Sequence, residues 1–96
     1  MPPFSRLVKI VMMGSAEKEV ARQILSLARL FEAGMEKSRF QLLGPAPCLI
    51  SKRQGRFFWN LYIKGPSVEE INPVIENVLG QFKKMKVLLT IDVDPQ

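Results

Sequence analysis

Residues Arg56–Lys64, with the sequence RFFWNLYIK, alternate between two sets of side chains and give the clearest indication of the fold. Period-two alternation is typical of a β-strand with one buried side. One face carries Phe57, Trp59, Leu61 and Ile63, and the other carries Arg56, Phe58, Asn60, Tyr62 and Lys64. The first face has the apolar density of a core, whereas the second mixes aromatic and polar side chains. We therefore predict a strand whose second face lies away from the core.

Upstream of this strand, the sequence predicts another strand and an amphipathic helix. Arg6–Met13 alternates in the same way, and Gly14 ends it. Apolar residues then recur at helical spacing over Ser15–Ala33. Ser15 is a favourable N-cap residue, and Gly34 is expected to end the helix in the left-handed conformation.

An apolar segment between the helix and the Arg56–Lys64 strand is interrupted by prolines. It begins at Phe40–Leu43, is broken by Gly44-Pro45-Ala46-Pro47 and resumes at Cys48–Ile50. Because proline has no N–H to donate to a sheet, we expect an edge strand or a strand followed by a loop. Ser51–Gly55 is the predicted turn.

Downstream, the sequence predicts a second helix and a last strand. Ser67 and Glu70 have capping-box spacing, so the helix begins there. Pro73 lies too deep for a first-turn proline, which predicts a kink or a restart with Asn72 as the cap. Val87–Val93 is the last strand. The order β-α-β-β-α-β predicts an α+β fold, a two-layer ferredoxin-like sandwich with two helices on one face of a four-stranded sheet.

Composition limits what the 96 residues can do. The length, with 47% hydrophobic and 24% charged residues, predicts a single globular domain, residues 1–96. No apolar run reaches the roughly 20 residues of a membrane span. The chain has no histidine and one cysteine, which excludes histidine-dependent catalysis, an internal disulfide and the usual zinc sites. We expect no catalytic residue, no metal site and no cofactor in this chain.

The positive charge is concentrated in the middle of the sequence. Fourteen Lys and Arg against nine Asp and Glu give a net charge of +5. Residues 37–68 contain no acidic side chain but six basic ones, which are Lys37, Arg39, Lys52, Arg53, Arg56 and Lys64. Such a block attracts polyanions, of which nucleic acid is the first candidate and an anionic membrane the second.

Six residues are the candidate nucleic-acid-binding side chains. They are Lys52, Arg53, Arg56, Phe58, Tyr62 and Lys64. The cations of the Lys52–Arg56 turn suit phosphate oxygens, because guanidinium and ammonium groups donate charge-assisted hydrogen bonds. Phe58 and Tyr62 could stack on bases or pack against a neighbouring domain, and the sequence leaves both interpretations open. Trp59 is assigned to the core.

Two further candidates receive ordinary roles. Asp92 and Asp94 share a strand face, but carboxylates two residues apart at a chain end are a weak signal for a metal. We expect them to pair with cations of the same face or to solvate the terminus. Cys48 is expected to act as a small hydrophobic residue.

Four motifs, in this order along the chain, resemble one family. They are Pro2-Pro3-Phe4-Ser5-Arg6-Leu7-Val8, Leu43-Gly44-Pro45-Ala46-Pro47, Lys52-Arg53-Gln54-Gly55-Arg56-Phe57-Phe58-Trp59 and Ile91-Asp92-Val93-Asp94-Pro95. Together they are similar to the C-terminal domain of bacterial primosomal protein N-prime, the replication-restart helicase family, over essentially the whole chain. The resemblance implies the fold of a ribosomal protein of the S10 type. It also makes residues 1–4 a linker remnant from the helicase motor.

The resemblance implies a larger parent protein, an ATP-dependent 3′–5′ DNA helicase. The parent is implied to bind ATP with magnesium, and zinc, in parts that this sequence does not contain. Its implied partners are single-stranded-DNA-binding protein and primosome components, and its implied location is the bacterial cytoplasm, associated with the nucleoid.

The expected function is therefore non-catalytic binding to the phosphate backbone of forked or single-stranded DNA at stalled forks, without sequence readout. The first alternative is a docking module whose basic turn and Phe58/Tyr62 face contact the helicase motor domains of the same chain. The second alternative is an RNA-binding domain of ribosomal type. No membrane partner is expected.

Overall fold

The computed structural model describes residues 6–83 and 86–93, and for residues 49–53 it describes the backbone alone. Within these residues, four strands and two helices follow one another in the predicted order. The strands are β1 (Arg6–Gly14), β2 (Gln41–Arg53), β3 (Arg56–Gly65) and β4 (Val87–Val93), and the helices are α1 (Glu17–Gly34) and α2 (Val68–Gln81). The predicted β-α-β-β-α-β fold is confirmed. Residues 1–4, the predicted linker remnant, lie outside the described residues.

The strands form one antiparallel sheet in the order β2-β3-β1-β4. In the pairing of β1 with β3, Val8 lies opposite Ile63, and Ile10 lies opposite Leu61. Directly opposed residues of an antiparallel pair point to the same side of the sheet. This register therefore collects the apolar residues of the two central strands on one side.

The core lies between that side of the sheet and the two helices. Its buried residues are Val8, Ile10, Met12, Val20, Ile24, Leu27, Ala28, Phe31, Leu61, Ile63, Ile71, Ile75, Val78 and Val87. Trp59 packs against this cluster, which confirms its assignment to the core. Because both helices lie on this side, no described element covers the other side of the sheet, which we call the open face.

The two helices begin in different ways. α2 begins as predicted, since the Ser67 hydroxyl accepts a hydrogen bond from the Glu70 amide at 3.2 Å. In α1 the N-cap is Ala16, which makes no side-chain cap hydrogen bond, so the prediction of Ser15 as the cap is wrong. Two carboxylates in the first turn of α1 are favoured there by the helix dipole.

The predicted left-handed end of α1 and the predicted restart of α2 at Asn72 are wrong, whereas the alternative, a kink at Pro73, stays a prediction. Gly34 does not end α1 in the left-handed conformation; it belongs to the helix, and the Met35 amide donates to the Phe31 carbonyl at 3.0 Å. α2 runs without a break through Pro73, so there is no restart at Asn72. Because Pro73 is exposed, water can reach the carbonyl that the missing N–H leaves unpaired.

β2 is an edge strand, as predicted, but it is longer than the sequence indicated. It contains two register shifts against β3, one between residues 43 and 46 and one between residues 47 and 52. Pro45 falls in the first shift, where no N–H is needed for pairing. Pro47 lies opposite Trp59, and an edge strand tolerates it because only alternate residues of such a strand donate to the neighbouring strand.

We predict that Gly65 tolerates no side chain. A Cβ there would lie 2.8 Å from Phe40 Cδ1 and 2.9 Å from Ile71 Cγ1. Gly65→Ala should lower the free energy of unfolding by about 1–3 kcal/mol, measured by urea denaturation with Trp59 fluorescence. Gly80→Ala is the control, because a Cβ in that part of α2 meets nothing within 4 Å, and it should stabilise by about 0.5–1 kcal/mol. Equal effects of the two changes would contradict this packing.

Candidate nucleic-acid interface

The open face is built from alternate residues of β1, β2, β3 and β4. By register, it carries Leu7, Lys9, Val11 and Met13 of β1, Leu43 and Ala46 of β2, Arg56, Phe58, Asn60, Tyr62 and Lys64 of β3, and Leu88, Thr90 and Asp92 of β4. Phe58 and Tyr62 are half-buried there, and Arg56 and Lys64 are exposed. The structure thus brings these four of the six candidate residues to one face.

The other two candidates, Lys52 and Arg53, end β2. Their backbones pair with those of Phe57 and Arg56. The side chains of residues 49–53 lie outside the described part of the structure, so the phosphate-binding roles of Lys52 and Arg53 stay predictions.

The hairpin that positions Arg56 has a turn of two residues. Gln54 and Gly55 have φ values of 53° and 76°. Two successive positive φ values belong to a type I′ turn, whose twist matches that of the flanking strands. The predicted turn at Ser51–Gly55 is therefore too long, since its first three residues are part of β2.

A pocket of about 180 Å³ lies at the end of the open face next to this hairpin. It is lined by Met13, Gly14, Ser15, Arg56, Lys86 and Leu88, and we call it the Arg56 pocket. Arg56 and Lys86 are both exposed, and among the ion pairs of the described residues neither takes part in one. Lys86 has a φ of 60°, which a non-glycine residue seldom adopts. Sequence reasoning missed Lys86, because nothing in the pattern indicated that the α2–β4 connection reaches the open face.

A second pocket, of about 320 Å³, lies at the opposite end of β3. It is lined by Lys37, Ser38, Arg39, Phe40, Gln41, Lys64 and Gly65, and we call it the Lys64 pocket. Arg39 is held in an ion pair with Glu70. Lys37 and Lys64 take part in no ion pair between described residues, so their ammonium groups can bind an anion.

One carboxylate close enough to interact with Lys86, that of Glu19, is paired with side chains of its own helix. Arg22 and Gln23 donate hydrogen bonds to Glu19, with Gln23 Nε2 at 2.9 Å. The hydrogen bond from Arg22, and after it the one from Gln23, holds the pKa of Glu19 below its ordinary value. The charge of Lys86 lowers this pKa by a smaller amount. Lys86 itself takes part in no ion pair between described residues.

The other residues considered from the sequence were Asp92, Asp94 and Cys48. Asp92 lies opposite Lys9 in the register of the open face, and Asp94 lies outside the described residues. Cys48 is half-buried, and its Sγ accepts a hydrogen bond from Asn60 Nδ2 at 3.5 Å. Among the described residues, no group of three or more Cys, Asp or Glu could hold a metal ion. Neither described helix has the length and apolarity to cross a membrane.

Comparison with known proteins identifies the family. Residues 1–96 match the family described as the primosomal protein N C-terminal domain. The chain belongs to this family. Replication restart protein PriA of Synechocystis sp. is 35% identical over 94 residues, covering 98% of this chain and 11% of that protein. PriA of Rickettsia felis is 30% identical over 97 residues, covering 100% of this chain and 14% of that protein.

A third relative, PriA of Haemophilus influenzae, is 28% identical over 102 residues, covering 100% of this chain and 13% of that protein. The chain therefore spans between 11% and 14% of the length of these PriA proteins. The family resemblance read from the four motifs is confirmed over the whole chain.

Solved structures agree on the fold. The de novo designed protein Foldit4 has a TM-score of 0.70 and 16% identity, covering 96% of this chain and 98% of the design. The designed protein LFR1 1, described as having a ferredoxin fold, has a TM-score of 0.62 and 12% identity, covering 98% and 88%. At such identities the likeness shows the fold alone.

We predict that the hairpin turn depends on Gly55. Gly55→Ala should lower the free energy of unfolding by about 1 kcal/mol, because alanine disfavours a φ of 76°. A Cβ at this position meets nothing within 4 Å, so a loss would report backbone strain alone. Gln54→Asn should raise the free energy of unfolding, since asparagine is favoured at the first turn position. Urea denaturation measures both changes, and a neutral Gly55→Ala would contradict the type I′ assignment.

Proposed function

We propose that this chain is the non-catalytic DNA-binding domain of a replication-restart helicase and that its open face contacts the phosphate backbone of branched or single-stranded DNA. The observation that carries the proposal is the grouping of Arg56, Lys64 and Lys86, which take part in no ion pair among described residues, around Phe58 and Tyr62 on one uncovered face. Family membership supplies the context, a primosomal role.

The chemistry of the proposed contact is electrostatic and independent of sequence. Guanidinium and ammonium groups donate to phosphate oxygens, and each neutralised phosphate releases counterions, so affinity falls as salt rises. A base stacked on an aromatic ring adds about 1–3 kcal/mol without discriminating between bases. In this proposal the domain binds and positions DNA and performs no chemistry itself.

Unwinding belongs, in the same proposal, to the remainder of a parent protein that is an ATP-dependent 3′–5′ helicase. That parent would bind ATP with magnesium, and zinc, outside residues 1–96. It would act in the bacterial cytoplasm on nucleoid DNA, with single-stranded-DNA-binding protein and primosome components as partners.

Docking on the motor domains is a second candidate, and the edge strand β4 favours it. Ile91 and Val93 are 40% and 45% exposed. By register they lie on the helix side of the sheet, away from the open face. A docking contact there and a DNA contact on the open face would use different surfaces of one domain.

We predict weak binding of the 96-residue chain to forked and single-stranded DNA, with strong salt dependence. Fluorescence anisotropy at low and moderate salt measures it, and each phosphate contact should add about −0.7 to the slope of log K against log salt for single strands. Affinity that is flat with salt would contradict the phosphate contact. Tighter binding of matched RNA would favour the RNA-binding alternative. Absence of DNA binding, with activity restored when the domain is added to a motor lacking it, would favour docking.

We predict that Arg56→Ala weakens DNA binding several-fold without loss of the fold, because it removes a phosphate donor. Adding Arg53→Ala should weaken binding further. Arg29→Ala is the control, since it removes an equal charge from an exposed position of α1, an element on the other side of the sheet. An unchanged dissociation constant for Arg56→Ala, or an equal loss for Arg29→Ala, would remove Arg56 from the site.

A further inference from the structure

The Arg56 pocket and the Lys64 pocket lie at opposite ends of one strand. Lys64 follows Arg56 by eight positions in β3. At about 3.3 Å per residue, the two side chains start roughly 26 Å apart along the sheet. As far as the described residues go, the linings of both pockets contain cations and no acidic residue. Each pocket therefore suits one anionic group.

The surface between the pockets is suited to flat, uncharged groups. Phe58, Asn60 and Tyr62 alternate along β3 between the two basic ends. Their neighbours in the register of β1 are Met13, Val11 and Lys9, and the charge of Lys9 lies opposite that of Asp92 on β4. A polymer that carries anions on its backbone and flat rings on its side matches this order of charge, ring and charge.

From this arrangement we infer that the open face is a track for a single strand of DNA, which lies along β3 with phosphates in both pockets and unpaired bases on Phe58 and Tyr62. The inference rests on the proposed function and adds the form of the substrate, its path and two further contacts, Lys37 and Lys86. A duplex does not fit this path, because its bases stay stacked inside and cannot reach the rings.

The distance between the pockets sets the length of DNA that fills the track. A stacked strand advances about 3.4 Å per phosphate, so about eight nucleotides would span 26 Å. A strand whose bases are splayed onto aromatic rings is more extended, and about four nucleotides would then suffice. Affinity should rise steeply with oligonucleotide length up to a value between these limits and should then level off.

The first test measures the dissociation constants of a series of oligothymidylates, from about three to about twelve nucleotides, by fluorescence anisotropy. Lys86→Asn removes the charge from one pocket with a residue that tolerates positive φ, and Lys64→Gln removes the charge from the other. Each change should weaken binding of the long oligonucleotides and reduce the salt slope by about 0.7. Arg29→Gln, on α1, is the matched control and should change neither.

The second test locates the bound strand with the single cysteine of the chain. Cys48 lies beside Asn60, midway along the track. A bound oligothymidylate of about ten nucleotides should slow the reaction of this thiol with a disulfide reagent several-fold. A duplex of the same length should leave the rate unchanged. Fluorescence of Trp59, which packs against the core, verifies that the fold is intact in each variant.

The outcomes separate this inference from the proposed function. A plateau between about four and eight nucleotides, loss of affinity in both pocket variants and protection of Cys48 by single strands support the track. DNA binding that needs Arg56 but shows no plateau, no effect of Lys86→Asn and Lys64→Gln beyond that of Arg29→Gln, and no protection of Cys48 would overturn the track alone. Absence of binding to any DNA at low salt would overturn both.

Discussion

The register between β1 and β3 determines which side chains enter the core and which lie on the open face. Met12 lies opposite Trp59 on the core side, and Met13 lies opposite Phe58 on the open face. Because side chains alternate with a period of two, a slip of one residue would exchange the two sets. It would bury Arg56 and Lys64 beneath the helices and expose the apolar set. The same alternation that builds the core therefore also holds the cations and rings on the uncovered face.

Much of the fold could be predicted from the sequence, because the spacing of apolar residues along a strand or helix is a local property. The alternation of Arg56–Lys64 separated the core face from the open face, and the Ser67 and Glu70 spacing located the start of α2. The family resemblance and the fold agreed for the same reason, since each of the four motifs overlaps at least one strand.

What the sequence could not predict depends on contacts between distant segments. Ser15 has the residue type of a helix cap, but in the tertiary structure it lies beside Arg56 and Lys86 in a pocket at the end of the sheet. Lys86 enters the site because it directly precedes β4, whose first residue, Val87, pairs with Gly14 at the end of β1. Gly65 is required by the close approach of Phe40, 25 residues earlier in the chain. No local pattern contains such information.

Under the proposed function, the two faces of this domain would have different uses. The open face carries, at both ends of β3, cations that pair with no described acidic residue, which suits a polyanion. Ile91 and Val93 on edge strand β4 suit a protein surface. A DNA-binding face and a docking surface on opposite sides of one sheet would let the domain hold a strand while it stays attached to a motor.

The claim that the open face holds the DNA is tested most directly by two-dimensional NMR of the 96-residue chain during titration with a single-stranded oligonucleotide. The account predicts that shifted amide signals concentrate in Arg56–Lys64, with further shifts at Met13 and Lys86, while signals from α1 stay in place. Shifts concentrated around Arg22 and Arg29 of α1, with β3 unmoved, would contradict it.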